Sequence, residues 1–241
     1  MKKNIPYTRI LLKLSGEALA PESETGHAGI SGDSALSIAR GIKDFVDHGI
    51  EVGCVIGAGN IFRGIQGSEL GIARTPADQM GMLATIINAI ALQQALEALG
   101  VEAVVMSAIQ CAPIADLYNW KQALHHLEKK RVVLFAGGTG NPYFTTDTAA
   151  ALRAAEIHAQ ILLKATKVNG IYSKDPLKHP DAVRYEKLTY AEVLAQNLAV
   201  MDATSIALCM SSKIPILVFN MRTTTHLTDV LVDTSYGTIV Y

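Results

Sequence analysis

Charge is scarce in this sequence and nearly balanced: 18% of the 241 residues are charged, and the formal net charge is −1. Such a chain offers no electrostatic footprint for nucleic acid or for an anionic membrane surface. Cysteine is scarce too. Cys54, Cys111 and Cys209 are far apart, form no Cys-x-x-Cys and stand near no histidine pair. Buried thiols are therefore expected, rather than disulfides or zinc ligands. Long apolar runs are missing. The longest, Met80–Leu92, is too short to span a bilayer, and the opening residues contain no signal-peptide core. There is no Gly-x-Ser-x-Gly elbow and no His/Cys/Asp/Glu cluster at metal-ligand spacing. A soluble cytoplasmic protein is the expectation, and its 49% hydrophobic content is ample for a buried core.

Apolar β-rich runs alternate with helical patterns. Strands are predicted at Arg9–Leu14, Glu51–Gly57, Glu102–Ala108, Arg131–Gly137, Ala159–Ala165 and Ile214–Asn220. Helices are predicted at Ser34–His48, Asp78–Leu99, Trp120–Lys129, Asp147–His158, Tyr190–Gln196, Ala203–Ser211 and Thr224–Val230. Near-continuous apolar strands between helices point to an α/β fold, a mainly parallel open sheet sandwiched by helices. In such sheets ligands gather beyond the carboxyl ends of the strands. The segments that follow the strands therefore carry the functional reading.

One of them, "LFAGGTGNPYFTTDTAA", has the strand–glycine–helix form of a phosphate loop but neither lysine nor arginine. Its hydroxyls, amide and two aromatics suit a nucleobase and sugar better than a triphosphate. The Gly-x-x-x-x-Gly-Lys-[Ser/Thr] spacing is absent: Lys13 precedes Ser15 and Gly16. An ammonium beside exposed N–H groups could still meet an anion, and a strand-end surface lysine would look the same. "IGAGN" is not a dinucleotide fingerprint, because Phe62 stands where the third glycine belongs. It is a tight turn followed by Arg63, which could hold phosphate in a bidentate grip or lie in solvent. Asp78 and Asp147 each begin a predicted helix, where capping is the ordinary role. Lys164 ends a strand, and Tyr172 could pack on a base or sit on an ordinary turn.

Together "LLKLSGEAL", "VIGAGNIFRG", "DQMGMLAT", "GTGNPYFTTDTAA", "LLKATKVNGIYSKDP", "LTYAEVL" and "KIPILVFNM" resemble the bacterial UMP kinases of the amino-acid-kinase superfamily, in order along essentially the whole chain. The resemblance implies an amino-acid-kinase fold, a sheet of about eight strands unrelated to the P-loop kinases. It implies one α/β domain over 1–241, with an acceptor lobe roughly at 1–160 and an ATP lobe roughly at 161–241. The implied reaction is MgATP plus UMP giving ADP plus UDP, in pyrimidine nucleotide biosynthesis.

Lys13, Arg63, Asp147 and Lys164 would be catalytic, with Asp147 orienting the lysines or helping to place Mg²⁺. Lys13, Leu14, Ser15, Gly16, Gly59, Arg63, Thr166, Tyr172 and Asp175 would bind ATP. Ala58, Asp78, Thr139, Gly140, Asn141, Pro142, Tyr143, Phe144, Thr145 and Thr146 would bind UMP. UTP feedback inhibition and a homohexamer built through the helix Asp78–Leu99 are implied as well.

Two departures stand out: Ala58 replaces a usual glycine, and "GHAGISGD" replaces a commoner "GFGID" in a loop linked to GTP activation. Two rival readings are a superfamily kinase acting on a carboxylate or carbamate, and a nucleotide-binding protein without turnover. The aromatic-bearing "GNPYFTTD" counts against the first, and Lys13, Arg63 and Asp147 together count against the second.

Overall fold

The computed structural model describes residues 5–21, 29–62, 70–176, 178–198, 200–224 and 226–241. Arg63 and residues 26–28 of the departing loop lie outside the described residues. Strands β1 (Arg9–Leu14), β2 (Glu51–Ile56), β3 (Ala103–Ser107), β4 (Asp116–Leu117), β5 (Val132–Ala136), β6 (Ile161–Thr166), β10 (Ile216–Asn220), β11 (Gly237–Val240) and β9 (Lys187–Leu188) form one sheet. Their order is β4-β3-β5-β2-β1-β6-β10-β11-β9. Pairing is parallel from β4 through to β10, and only β10 with β11 is antiparallel. The six predicted strands are all present. The short ones were not predicted, because two to four residues carry too little periodicity to read. β7 (Ile171–Tyr172) and β8 (Arg184–Tyr185) pair as a separate ribbon.

The helices are α1 (Gly32–Asp47), α2 (Arg74–Ala98), α3 (Trp120–Glu128), α4 (Thr146–Glu156), α5 (Tyr190–Ala195) and α6 (Ala203–Ser212). The stretch predicted as a helix at Thr224–Val230 is instead a 3-10 turn over Leu227–Leu231. Successive strand side chains point to opposite faces, so β1 feeds two cores. Ile10, Leu12 and Leu14 pack with α1 and α2, while Leu11 packs with α4 and α6. Burial on both faces is why the strand reads as an unbroken apolar run. Lys13 continues the Leu11 row, which directs it toward the α4 layer. The thiols of Cys54 and Cys209 are buried, Cys111 is partly so, and all three are free.

α2 starts a turn earlier than predicted, with Ala73 as an N-cap that makes no side-chain bond. Asp78 is therefore inside the helix and caps nothing. The apolar residues of α2 surround the helix, and they divide. Met82 and Ile86 are buried, whereas Leu83 and Ile87 are 50% and 51% exposed, with Met80 on the same side.

Candidate active site

β1 and β6 are neighbours, and their register sets Lys13 directly beside Lys164. Two buried ammonium groups side by side repel unless an anion lies between them. Asp147 supplies it. Its Oδ1 is 2.6 Å from Lys13 Nζ and its Oδ2 is 2.8 Å from Lys164 Nζ. The Lys13 contact is an ion pair in distance, but its angle is not that of a hydrogen bond. Lys164 also donates to the Val200 carbonyl. Burial pushes the Asp147 carboxyl up, and the two ammonium groups outweigh that and hold it below the usual carboxylate range. Burial, aided by Lys13, moves Lys164 below the usual lysine value against the pull of Asp147. The net result is two cations on one anion at the carboxyl edge of the sheet, a cluster of net positive charge.

Asp147 lies in the first turn of α4, where the helix dipole favours an anion, but it is not the cap. Thr145 is the cap, its hydroxyl accepting from the backbone N–H groups of Asp147 and Thr148 at 3.1 and 3.3 Å. The hydroxyls of Thr145 and Thr148 both donate to Asp202 Oδ2, and Asp202 in turn caps α6. This link between α4 and α6 was not foreseen, because a lone aspartate before an alanine-led helix gives no sign of its distant partner.

A cavity of about 160 Å³ is lined in part by Thr145 and Thr146, the two residues before Asp147. Of the predicted UMP residues, Ala58, Asp78, Thr139, Asn141, Phe144, Thr145 and Thr146 line it, and Gly140, Pro142 and Tyr143 do not. Phe62, Met82 and Thr85 line it without having been predicted. Tyr143 is held in a left-handed conformation, φ 71°, unusual for an aromatic residue. Its N–H donates to Asp78 Oδ2 at 2.8 Å, and Arg74 both bonds Asp78 and lies over the Tyr143 ring, 5.5 Å from its centroid. Asp78 thus fixes the loop as well as facing the cavity. Gly140 has φ +80°, and a Cβ there would lie 3.0 Å from the Ala108 carbonyl oxygen, so the turn requires glycine. Ala58, by contrast, has no positive φ, so its backbone does not call for glycine.

On the other side, Ser15 and Thr166 line a larger cavity of about 720 Å³. Gly16 lies so close to the β2 exit that a Cβ would be 2.4 Å from Asn60 Oδ1 and 2.7 Å from the Gly59 nitrogen. Leu14 is wholly buried and its carbonyl accepts from Gly57 N–H, so it supports the turn from within. The Thr166 hydroxyl donates to the Val168 carbonyl at 2.7 Å, with the Phe219 carbonyl a second acceptor within reach at 3.2 Å. Tyr172 and Asp175 belong to the β7–β8 ribbon segment and line neither cavity.

The pattern of the Amino acid kinase family matches residues 8–220. The chain is 56% identical over 234 residues to the uridylate kinase of Protochlamydia amoebophila strain UWE25, covering 96% of this chain and 92% of that one. The crystal structure of UMP kinase from Bacillus anthracis superposes with a TM-score of 0.93 at 38% identity, covering 98% of this chain and 96% of that one. That of UMP kinase from Ureaplasma parvum gives a TM-score of 0.89 at 40% identity, covering 98% and 99%.

Proposed function

This chain belongs to the amino acid kinase family and phosphorylates UMP with ATP to give UDP, and on that premise we propose how its residues divide the work. The observation that carries the proposal is the Lys13–Asp147–Lys164 cluster, whose aspartate directly follows Thr145 and Thr146 of the hydroxyl-lined cavity in the chain. Phosphoryl transfer asks for in-line positioning and for cations where charge develops, with little covalent chemistry from the protein. Lys13 and Lys164 supply the cations, and Arg63 adds a third from the segment after the β2 turn. Asp147 fixes both ammonium groups rather than removing a proton, since the UMP phosphate is already a nucleophile.

The 139–146 loop with Asp78 and Ala58 holds UMP. Ser15, Gly16, Gly59, Thr166, Tyr172 and Asp175 hold ATP, and Leu14 contributes backbone. The lobe boundary near residue 160 falls between β5 and β6 in sequence and runs through one continuous sheet.

Mg²⁺ would be held by the ATP phosphates and would supply charge neutralisation there. The carboxylate that would help to place it is Asp147, which is already matched by two ammonium groups. UTP, sharing the uracil and ribose, would compete at the acceptor cavity. The exposed Met80, Leu83 and Ile87 on α2 support a homohexamer assembled through this helix, which sedimentation of the wild type beside Ile87→Glu would test. A cytoplasmic location and a role in pyrimidine nucleotide supply complete the proposal. Among the described residues no helix is long and apolar enough to cross a membrane.

A coupled assay of ADP release tests the reading. ADP is expected with UMP and MgATP, and none with acetylglutamate, aspartate or carbamate as acceptor. Turnover of an amino acid, or ATP binding without UMP-dependent ADP, would overturn it.

A further inference from the structure

Asn88 lies in the middle of α2 with no exposed surface, and it faces Asn60 of the β2-exit turn, which is also buried. Each amide is the other's partner. Asn88 Nδ2 donates to Asn60 Oδ1 at 2.8 Å, and Asn60 Nδ2 donates to Asn88 Oδ1 at 3.1 Å. The amide nitrogens make two further bonds to backbone, Asn88 to the Gly57 carbonyl at 2.8 Å and Asn60 to the Gly29 carbonyl at 2.8 Å. A buried amide pair satisfied in this way specifies one geometry, because any slip leaves polar groups without partners.

The pair sits where two turns meet. Asn60 Oδ1 occupies the space a side chain on residue 16 would need, and the Gly57 N–H is already held by the Leu14 carbonyl. One turn earlier on the same helix, the Thr85 hydroxyl accepts the Gly137 N–H at 2.8 Å at the β5 exit. Neither asparagine lines the acceptor cavity or the larger one.

We propose that Asn88, through Asn60 and Gly57, is a positioning residue that sets the glycine turns of residues 16 and 57–60 at the spacing phosphoryl transfer requires. This rests on the assignment of those turns to the phosphates. Of the proposed UMP residues, Ala58 lies on the 57–60 turn, whereas Asp78 and the 139–146 loop, which would hold uracil and ribose, are anchored elsewhere, so most of ground-state UMP binding is independent of the pair.

The test measures kcat and KM for UMP on folded, soluble Asn88→Ala and Asn88→Asp beside the wild type. Misplacing the turns is expected to lower kcat by roughly 10- to 100-fold, with KM for UMP moving by no more than about 3-fold, since the ribose and base contacts are retained. Asn88→Asp keeps the volume and leaves no void, so it also serves if Asn88→Ala fails to fold. A packing role predicts that it turns over close to the wild type. Positioning predicts a loss at least as large as that of Asn88→Ala, because a carboxylate oxygen would face the Gly57 carbonyl in place of a donor. Near-wild-type kcat in either folded variant, or a loss confined to KM, would overturn the inference. Failure of the wild type itself to phosphorylate UMP would instead overturn the functional reading.

Discussion

The acceptor side and the donor side of the cleft are held by different means. On the acceptor side, α2 reaches the loop with Asp78, which takes the Tyr143 N–H, and with Thr85, which takes the Gly137 N–H, while farther along the same helix Asn88 donates to the Gly57 carbonyl of the turn proposed to meet the phosphates. Thr85 and Asn88 are buried, where a lost partner is expensive. On the donor side, Tyr172 and Asp175 sit on a two-stranded ribbon outside the main sheet. Its charged cross-link, Lys174 to Asp181, is largely exposed and contributes little. The ribbon is held instead by Ile171 N–H donating to the Thr238 hydroxyl, by that hydroxyl donating to the Tyr185 carbonyl, and by Arg184 donating to the carbonyls of Asn169 and Ser235. On the proposed assignment, the difference is that the UMP side is tied to one long helix of the core, whereas Tyr172 lies on a ribbon tied to the sheet near its edge and lines neither cavity, so its contact with adenine would form only with ATP bound. The lysine–aspartate cluster is carried by β1, β6 and α4 and belongs with the rigid side.

The largest expected effect tests that last assignment. Lys13 ends a strand paired with neighbours on both sides, so its ammonium has a fixed base. Removing one preorganised donor from a transferring group typically costs roughly 100- to 1,000-fold in rate. Lys13→Met is expected to fold, to bind UMP normally by calorimetry, and to lose kcat on that scale with a smaller loss in ATP affinity. Lys13→Arg should rescue poorly, because a planar fork does not replace a compact charge against Asp147. If Lys13→Met turned over near the wild-type rate, the cluster would be structural and the comparison would lose its centre.

A smaller effect appears in stability against pH. The folded-state pKa of Asp147 lies below its ordinary value, so the group's stabilising contribution is complete above the ordinary carboxylate pKa. It is lost as pH falls through the lower, folded value. Asp147→Asn lacks this contribution. The Tm advantage of the wild type over Asp147→Asn, read by thermal melts from pH 7 downward, should therefore shrink on acidification below the carboxylate range. An advantage that held constant, or grew, would show that the carboxylate is not held ionised by the two lysines.

How much of this was legible in the sequence follows from how local each signal is. Strand β1 matched its predicted limits because both its faces are buried and Ile10, Leu11 and Leu12 at its centre are all apolar. Lys13, Asp147 and Lys164 could be named singly, but their contact depends on β1 and β6 being adjacent, and 150 intervening residues hide that. Asp78 was read as a cap because an acid before an apolar run is the usual start signal, yet the helix begins at Arg74 behind a cap with no polar side chain. Thr85 and Asn88 gave no signal at all: a polar residue inside a helix pattern looks like a solvated position until its partner on another element is known. Asp202 reads as an ordinary cap, and nothing local shows its bonds to Thr145 and Thr148. The ribbon escaped because strands of two residues have no period.

The smallest expected effect falls on that ribbon, and it is the one most able to break the comparison. Tyr172 is half-buried on β7, paired across to Arg184, and its ring lines neither cavity. If it meets adenine only when ATP is present, its contribution is one aromatic contact, worth about 0.5–1.5 kcal/mol, or roughly 2- to 10-fold in affinity. Tyr172→Ala should then raise KM for ATP by that factor and leave kcat at saturating ATP unchanged. KM for UMP should not move either, because no link from the ribbon to the Asp78 loop is needed to hold the acceptor. Tyr172→Phe should behave as the wild type, since the ring and not the hydroxyl makes the contact. Steady-state kinetics with each substrate varied in turn separates these outcomes. A fall in kcat for Tyr172→Ala would mean that ribbon placement governs the transferring phosphates, and the donor side would then be as much a part of the preorganised site as the acceptor side.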